Sequence, residues 1–317
     1  MPKQTSLTDE VLKGNTRAIA RAITSVENGT PQSADLLKAL FAHSGNAYIV
    51  GVTGAPGTGK SSLVDRLAEY YRGRQKRVGI IAVDPTSPFT GGAILGDRIR
   101  MQARSTDPGI FIRSMATRGR LGGLSSATDD VALILDAAGF EMILIETVGA
   151  GQDEVDIVRT ADVTLVVLVP GLGDEIQTIK AGLMEIGDIF VLNKSDREGT
   201  DKIERQLQSM LLTTRRPDGW EVRLVKTIAT QNAGIAQLTD AIDSFRSHQT
   251  RDIKQRRAEK EELKLMTLLL RRLGEKIEPL VAKERMRSYA AQILEKQRDP
   301  YSITEEILAS VDIKKVS

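Results

Sequence analysis

The run Gly54-Ala-Pro-Gly-Thr-Gly-Lys60-Ser61 restricts what this chain can fold into more than any other segment. It follows an apolar, β-branched run over Tyr48–Thr53 and precedes a helical pattern over Ser62–Tyr71, the strand, loop and helix context that a phosphate-binding loop requires. Its glycines let the backbone turn N–H groups onto phosphate oxygens at a helix N-terminus. The Lys60 ammonium can reach the β and γ phosphates, and the Ser61 hydroxyl is a hard ligand for Mg²⁺. Gly54, Ala55, Pro56, Gly57, Thr58, Gly59, Lys60, Ser61 and Ser62 are therefore expected to bind nucleotide, with Lys60 also catalytic.

From Tyr48 onward, further β-branched runs occur at Val78–Val83, Met142–Ile145, Val163–Val169, Ile189–Leu192 and Val222–Ile228. They alternate with helical stretches such as Asp130–Ala138 and Ile235–Phe245, which predicts an α/β fold: a doubly wound, mostly parallel sheet of the P-loop NTPase class. Before it, Leu7 to His43 reads as a helical prefix, with Ile19, Ile23 and Val26 on one face and a stop at Asn28-Gly-Thr-Pro31 before a second helix. The chain after Phe245 carries no strand-like run, and Ser302-x-x-Glu305 reads as a capping box for the last helix. The expected organisation is thus an N-terminal helical extension over 1–45, a nucleotide-hydrolysing domain over 46–247 and a C-terminal helical region over 248–317.

The absence of Cys among 317 residues excludes disulfides, thiolate metal sites and Cys nucleophiles. A net charge of +2 gives no broad field for nucleic acid or an acidic membrane, so neither is an expected partner. No 18-residue apolar run occurs and Met1–Glu10 is polar, so a cytoplasmic location is expected. The basic run Arg251–Arg257 is followed at once by acids in Glu259–Glu262, as on a solvated helical face.

The base is addressed by Asn193-Lys-Ser-Asp196, directly after the run Ile189–Leu192. A carboxylate at Asp196 accepts from guanine N1–H and the 2-amino group, which adenine does not offer, and a wrong base leaves that acceptor unpaired. The Lys194 stem can cover a face of the base and Asn193 can brace the loop. Thr227-Ile-Ala229 is where a further base-contacting N–H, that of Ala229, would lie; the alternative is a plain strand end. At Glu146-Thr-Val-Gly149, where Asp-x-x-Gly is usual, Glu146 can still reach the Mg²⁺ shell and the Gly149 N–H can meet the γ-phosphate. Gln152 is a catalytic candidate, two residues beyond the water-positioning Gln of Ras-type switches. Asp84 and Asp97, the latter near Thr90, Gly91 and Gly92, are hard oxygen donors suited to a Mg²⁺-sensing switch.

Together, Val83–Arg98, Phe111–Gly119, Glu146–Gln152 and Asn193–Asp196 closely resemble the MeaB/ArgK family, the methylmalonyl-CoA mutase-associated GTPases. The resemblance covers nearly the whole chain. It implies binding of GTP and GDP with Mg²⁺, homodimers formed through the C-terminal helices, and a client, an adenosylcobalamin-dependent acyl-CoA mutase whose cofactor loading the GTPase gates. It further implies metal-region roles for Ser61, Asp84, Asp97 and Glu146, a catalytic part for Asp97, and guanine reading by Asp196. Gly171–Asp188, with Asp174, Glu175 and Lys180, looks like the family's switch toward the mutase; as an amphipathic helix it can also bury Ile176, Ile179 and Leu183.

Three other readings compete. A nickel or zinc metallochaperone of the maturation type would need a soft or imidazole cluster, and the chain has no Cys and only His43 and His248. A P-loop kinase is opposed by the guanine tetrad, and a non-hydrolysing adaptor would give no multiple-turnover phosphate release. Leu263, Met266, Leu269, Leu270 and Leu273 fit either a local core or a dimer seam, and periodicity does not choose between them.

Overall fold

The computed structural model describes residues 6–84, 106–116, 123–147, 153–171, 186–213, 216–249, 253–277 and 283–310. Two compact units emerge, Met1–Arg257 and Ala258–Ser317. The first is built on a seven-stranded sheet: β1 (Tyr48–Thr53), β2 (Val78–Asp84), β3 (Ile110–Ala116), β4 (Met142–Thr147), β5 (Val163–Leu168), β6 (Ile189–Asn193) and β7 (Arg223–Thr227). Their order is β3-β2-β4-β1-β5-β6-β7, and every pairing is parallel. The doubly wound class expected from the alternation is the class observed.

Alternation explains how the strands are buried on both faces. Tyr48, Val50 and Val52 of β1 and Met142 and Leu144 of β4 join one apolar cluster with α4 (Lys60–Gly73) and α8 (Ile235–Gln249). Ile143 and Ile145 of β4 and Ile81 and Val83 of β2 join the opposite cluster with α5 (Gly123–Ala137) and α6 (Asp153–Thr160). The period of two thus feeds two cores at once. A third cluster lies under α7 (Thr200–Thr213), where Leu207 meets Phe190 and Leu192 of β6.

The helical prefix is three helices rather than two: α1 (Leu7–Leu12), α2 (Thr16–Glu27) and α3 (Pro31–Phe41). Asn15 interrupts the first pair because its side chain caps α2, accepting from the Arg17 and Ala18 N–H groups at 3.0 and 3.1 Å, while Gly14 adopts φ 74°. Val11, Ile19, Ile23 and Val26 enter the same cluster as β2, β4 and α5. The connection into β1 is pinned by Asp136 of α5, whose carboxylate accepts from the N–H groups of Gly45, Asn46 and Ala47.

β3 was not expected as a strand. Its Arg113 and Ser114 break the apolar run, and it lies at the sheet edge, where only one side needs a partner. Arg113 ion-pairs there with Glu27 of α2.

The second unit contains most of α9 (Ile253–Ile277), with α10 (Lys283–Leu294) and α11 (Pro300–Ser310). Leu263, Met266, Leu269, Leu270 and Leu273 of α9 are all exposed, so they are not a local core. The cap of α11 differs from expectation: Asp299, not Ser302, is the acceptor, taking the Ser302 N–H at 2.9 Å and its hydroxyl at 2.6 Å. Pro300 sets the first helical position and lacks an N–H, so the residue before it becomes the cap.

Candidate nucleotide site

The strand order reverses direction at β1, which lies between β4 and β5, and the crevice beyond the carboxyl end of such a strand is where open α/β sheets bind ligands. The Gly54–Ser61 loop leaves β1 at that point. Gly54 has φ 137°, and a Cβ there would stand 2.2 Å from the Val167 carbonyl oxygen of β5, so only glycine fits. Gly59, at φ 88°, caps α4 without any side-chain cap bond, which leaves the first-turn N–H groups of the helix directed at the loop.

Lys60 is buried at 5% exposure, and its ammonium donates to the carbonyls of Gly54 at 2.6 Å and Ala55 at 2.9 Å. Ser61 donates its hydroxyl to Glu146 Oε1 at 2.6 Å. Glu146 gets there through register, since β4 pairs Glu146 with Val52 of β1 and so places it beside the loop's entry. The longer Glu arm therefore meets the Ser61 hydroxyl despite the departure from Asp. Thr58, also buried, turns its hydroxyl back to the Ala55 carbonyl at 2.9 Å. Asp84 ends β2, next to Ala116 of β3. Asp97, Gly149 and Gln152 lie outside the described residues, as do the Asp84 side chain and 172–185 of the expected switch. At the end of that stretch Asp188 is structural: its carboxylate accepts from the Thr164 N–H at 2.8 Å and pairs with Arg216 at 2.8 Å.

The tetrad is tied to the phosphate loop through Asn193, which is buried at 2% exposure. Its Nδ2 donates to the Thr58 carbonyl at 2.8 Å, while its Oδ1 accepts from the Thr227 hydroxyl at 3.1 Å and the Ala229 N–H at 3.2 Å. The expected Ala229 N–H is thus directed at Asn193 in this structure. Lys194 takes the left-handed conformation, φ 54°, and donates to the Gly57 carbonyl at 2.7 Å. Such a φ is uncommon for a residue with a Cβ, and it lets the chain turn out of β6 immediately after Asn193. Ser195 N–H donates to the Thr227 carbonyl at 3.2 Å, and Asp196 is left exposed at the mouth of the site. One residue that no motif marked also reaches this turn: Arg66 of α4 donates from Nε to the Ala229 carbonyl at 3.1 Å. With Glu69 one turn on, it reads in sequence as a solvated ion pair.

Residues 19–280 match the family described as "Methylmalonyl Co-A mutase-associated GTPase MeaB". The chain belongs to the MeaB family. It is a P-loop GTPase, and the seven-stranded parallel sheet with its Gly54–Ser61 loop is the fold of that enzyme. A Pyrococcus abyssi protein whose name places it among GTPases is 48% identical over 310 residues, covering 96% of both chains. GTPase ArgK of Escherichia coli is 36% identical over 243 residues, 74% of this chain and 73% of that protein. Among solved structures, "LAO/AO transport system kinase" matches with a TM-score of 0.72 over 98% of both chains at 24% identity, a likeness of fold. Within the MeaB family fold, then, the groups that contact phosphate in P-loop proteins and the Asn193–Asp196 tetrad share one crevice, joined by Asn193.

Proposed function

We propose that this MeaB-family GTPase uses its nucleotide cycle to gate cofactor loading of an adenosylcobalamin-dependent acyl-CoA mutase of the methylmalonyl-CoA mutase type, and to protect that mutase. The observation that carries the nucleotide half is the Asn193 bridge to the Thr58 carbonyl, which makes base reading and phosphate binding parts of one assembly. The family description, a mutase-associated GTPase, supports the client.

In this reading Gly54–Ser62 and Lys60 hold the phosphates, Asp196 reads guanine, Lys194 covers the base, and Asn193 and Ala229 keep the tetrad in place. Lys60 offsets charge that develops on the transferring phosphoryl group, while Gly149, Gln152 and Asp97 act on the γ-phosphate and the attacking water. The Ser61 hydroxyl and Glu146 carboxylate are adjacent hard oxygens, which suits them to hold Mg²⁺ together with Asp84 and Asp97. Held by these residues, Mg²⁺ would supply positive charge that offsets the charge of the phosphates. No described helix is long and apolar enough to cross a membrane. We assign 46–247 as the hydrolytic domain, 1–45 as its helical extension and 248–317 as the homodimerisation region, the last supported by the exposed leucines of α9. A cytoplasmic location completes the reading.

The test is a pull-down with this protein locked by a non-hydrolysable GTP analogue and then by GDP, followed by hydrolysis rates with purified mutase. Nucleotide-dependent retention of a cobalamin mutase and faster turnover are expected. Rates that stay flat through a saturating titration would remove the gating role and leave the GTPase standing.

A further inference from the structure

We propose that Arg66 is a positioning residue for the guanine site, fixing the turn that follows β7 onto the phosphate-binding helix. The Ala229 peptide is held from both ends: its N–H donates to Asn193 Oδ1 at 3.2 Å, and its carbonyl accepts from Arg66 Nε at 3.1 Å. Arg66 belongs to α4, the helix that opens at Lys60, so a rigid element that starts at the Gly54–Ser61 loop reaches directly to the turn beside the tetrad. This link is separate from the Asn193 bridge to the Thr58 carbonyl.

The turn itself is short and needs the support. Ala229–Gln231 form a single 3₁₀ turn, Asn232 is left-handed at φ 57°, and Gly234 at φ 78° lies so close that a Cβ would stand 2.1 Å from the Lys226 carbonyl oxygen. The end of β7, just before the turn, is tied to the tetrad loop by the Ser195 N–H to Thr227 carbonyl bond of 3.2 Å. A charged donor on a carbonyl is stronger than a neutral one, and Arg66 is only part exposed, at 31%. Glu69 orients the other side of the guanidinium, meeting Nη1 at 2.7 Å and leaving Nε for Ala229. Among the described residues, Arg66 bonds to the Ala229 carbonyl and to Glu69, neither of which is assigned to hydrolysis. Its loss should therefore loosen the base end of the site while the phosphate end keeps its geometry.

The proposal rests on guanine reading by Asn193–Asp196, and the experiment separates the two. Dissociation constants for GDP and ADP, with KM and kcat for GTP, are measured on the parent and on Arg66→Met, Arg66→Lys, Glu69→Gln and Asp196→Asn. Arg66→Met is expected to weaken GDP about tenfold and ADP hardly at all, raising KM far more than it lowers kcat. Arg66→Lys, which keeps a cationic donor, should recover most of the loss, and Glu69→Gln should lose less than Arg66→Met. Equal losses for GDP and ADP, no loss, or a fall in kcat with KM unchanged would overturn the positioning role. A parent without guanine preference, or an Asp196→Asn variant that reads bases as the parent does, would instead remove the base-reading assignment and this proposal with it. Should Arg66→Met not fold, Arg66→Gln, too short to reach the carbonyl, carries the same comparison.

Discussion

Asn193 Nδ2 donates to the Thr58 carbonyl at 2.8 Å, across 135 residues of chain, and so joins the end of β6 to the loop that follows β1. Asn193→Ala would leave that carbonyl, the Thr227 hydroxyl and the Ala229 N–H without their shared partner. Each buried orphan costs about 1–3 kcal/mol. We expect a clear fall in melting temperature together with weaker GDP binding. Chemical denaturation and nucleotide titration on one preparation check this, and an affinity unchanged from the parent would show that the bridge does not couple base to phosphate.

Lys60→Ala should keep the fold and lose at least ~10²-fold in GTP hydrolysis, because the transferring phosphoryl group loses its ammonium. The cavity left by a side chain only 5% exposed is bounded by loop carbonyls that water can satisfy. Multiple-turnover phosphate release is the measurement; parental turnover would refute the loop assignment.

Asp196→Asn should move preference from GTP toward XTP. The Asn amide would face the guanine 2-amino group donor to donor, whereas xanthine offers a carbonyl at that position. A penalty of about 1–3 kcal/mol is expected on GTP, with ATP poor for both proteins. The ratio of kcat/KM among the three nucleotides reads it directly, and retention of the parental order means that Asp196 does not read the base.

Tyr48 and Tyr71 bury their hydroxyls without a hydrogen-bond partner among the described residues. Burial, then the Asp162 charge for Tyr48 and the Asp243 charge for Tyr71, pushes both phenols well above the ordinary value of 10.0. A raised folded value means that full stability is present below that ordinary value and is lost as pH climbs beyond it, where the unfolded phenols ionise first. Tyr48→Phe and Tyr71→Phe should be neutral or stabilising by up to about 1 kcal/mol near neutrality, and should blunt the alkaline loss. Denaturation midpoints at neutral and alkaline pH test both statements; a substantial destabilisation by either change would mean that the hydroxyl has a partner in solution.

Glu306 of α11 accepts from the Tyr289 hydroxyl of α10 at 2.7 Å and pairs with Arg298 at 2.8 Å. The Tyr289 bond first, and the Arg298 contact next, hold its carboxyl down at about 2, against an ordinary 4.5. A depressed value contributes stability that is complete above 4.5 and fades as pH falls toward about 2. Amide exchange in α10 and α11 should accelerate across that acid window. Glu306→Gln should remove the pH dependence, and an unchanged acid limb in that variant would assign it to another group.

What the sequence determined by itself is what depends on near neighbours. The glycine spacing of Gly54–Ser61 dictates the loop, because its backbone takes φ 137° at Gly54 and 88° at Gly59, values that strain a residue with a side chain. The alternation in β2 and β4 fed two apolar clusters, so a sheet covered on both faces was legible before any pairing was known. The tetrad Asn193–Asp196 was legible as well, being contiguous. Tertiary structure alone decided whatever joins distant segments. β3 became a strand because β2 pairs with it and Glu27 neutralises its Arg113, although its own residues carry a broken pattern. Ser61 met Glu146 because the β1 and β4 register brought them together, and Arg66 met Ala229 because α4 packs beside the turn after β7. A hydrogen bond between side chain and backbone leaves no periodic trace in either segment, so its partner is chosen only when the sheet order places one within about 3 Å.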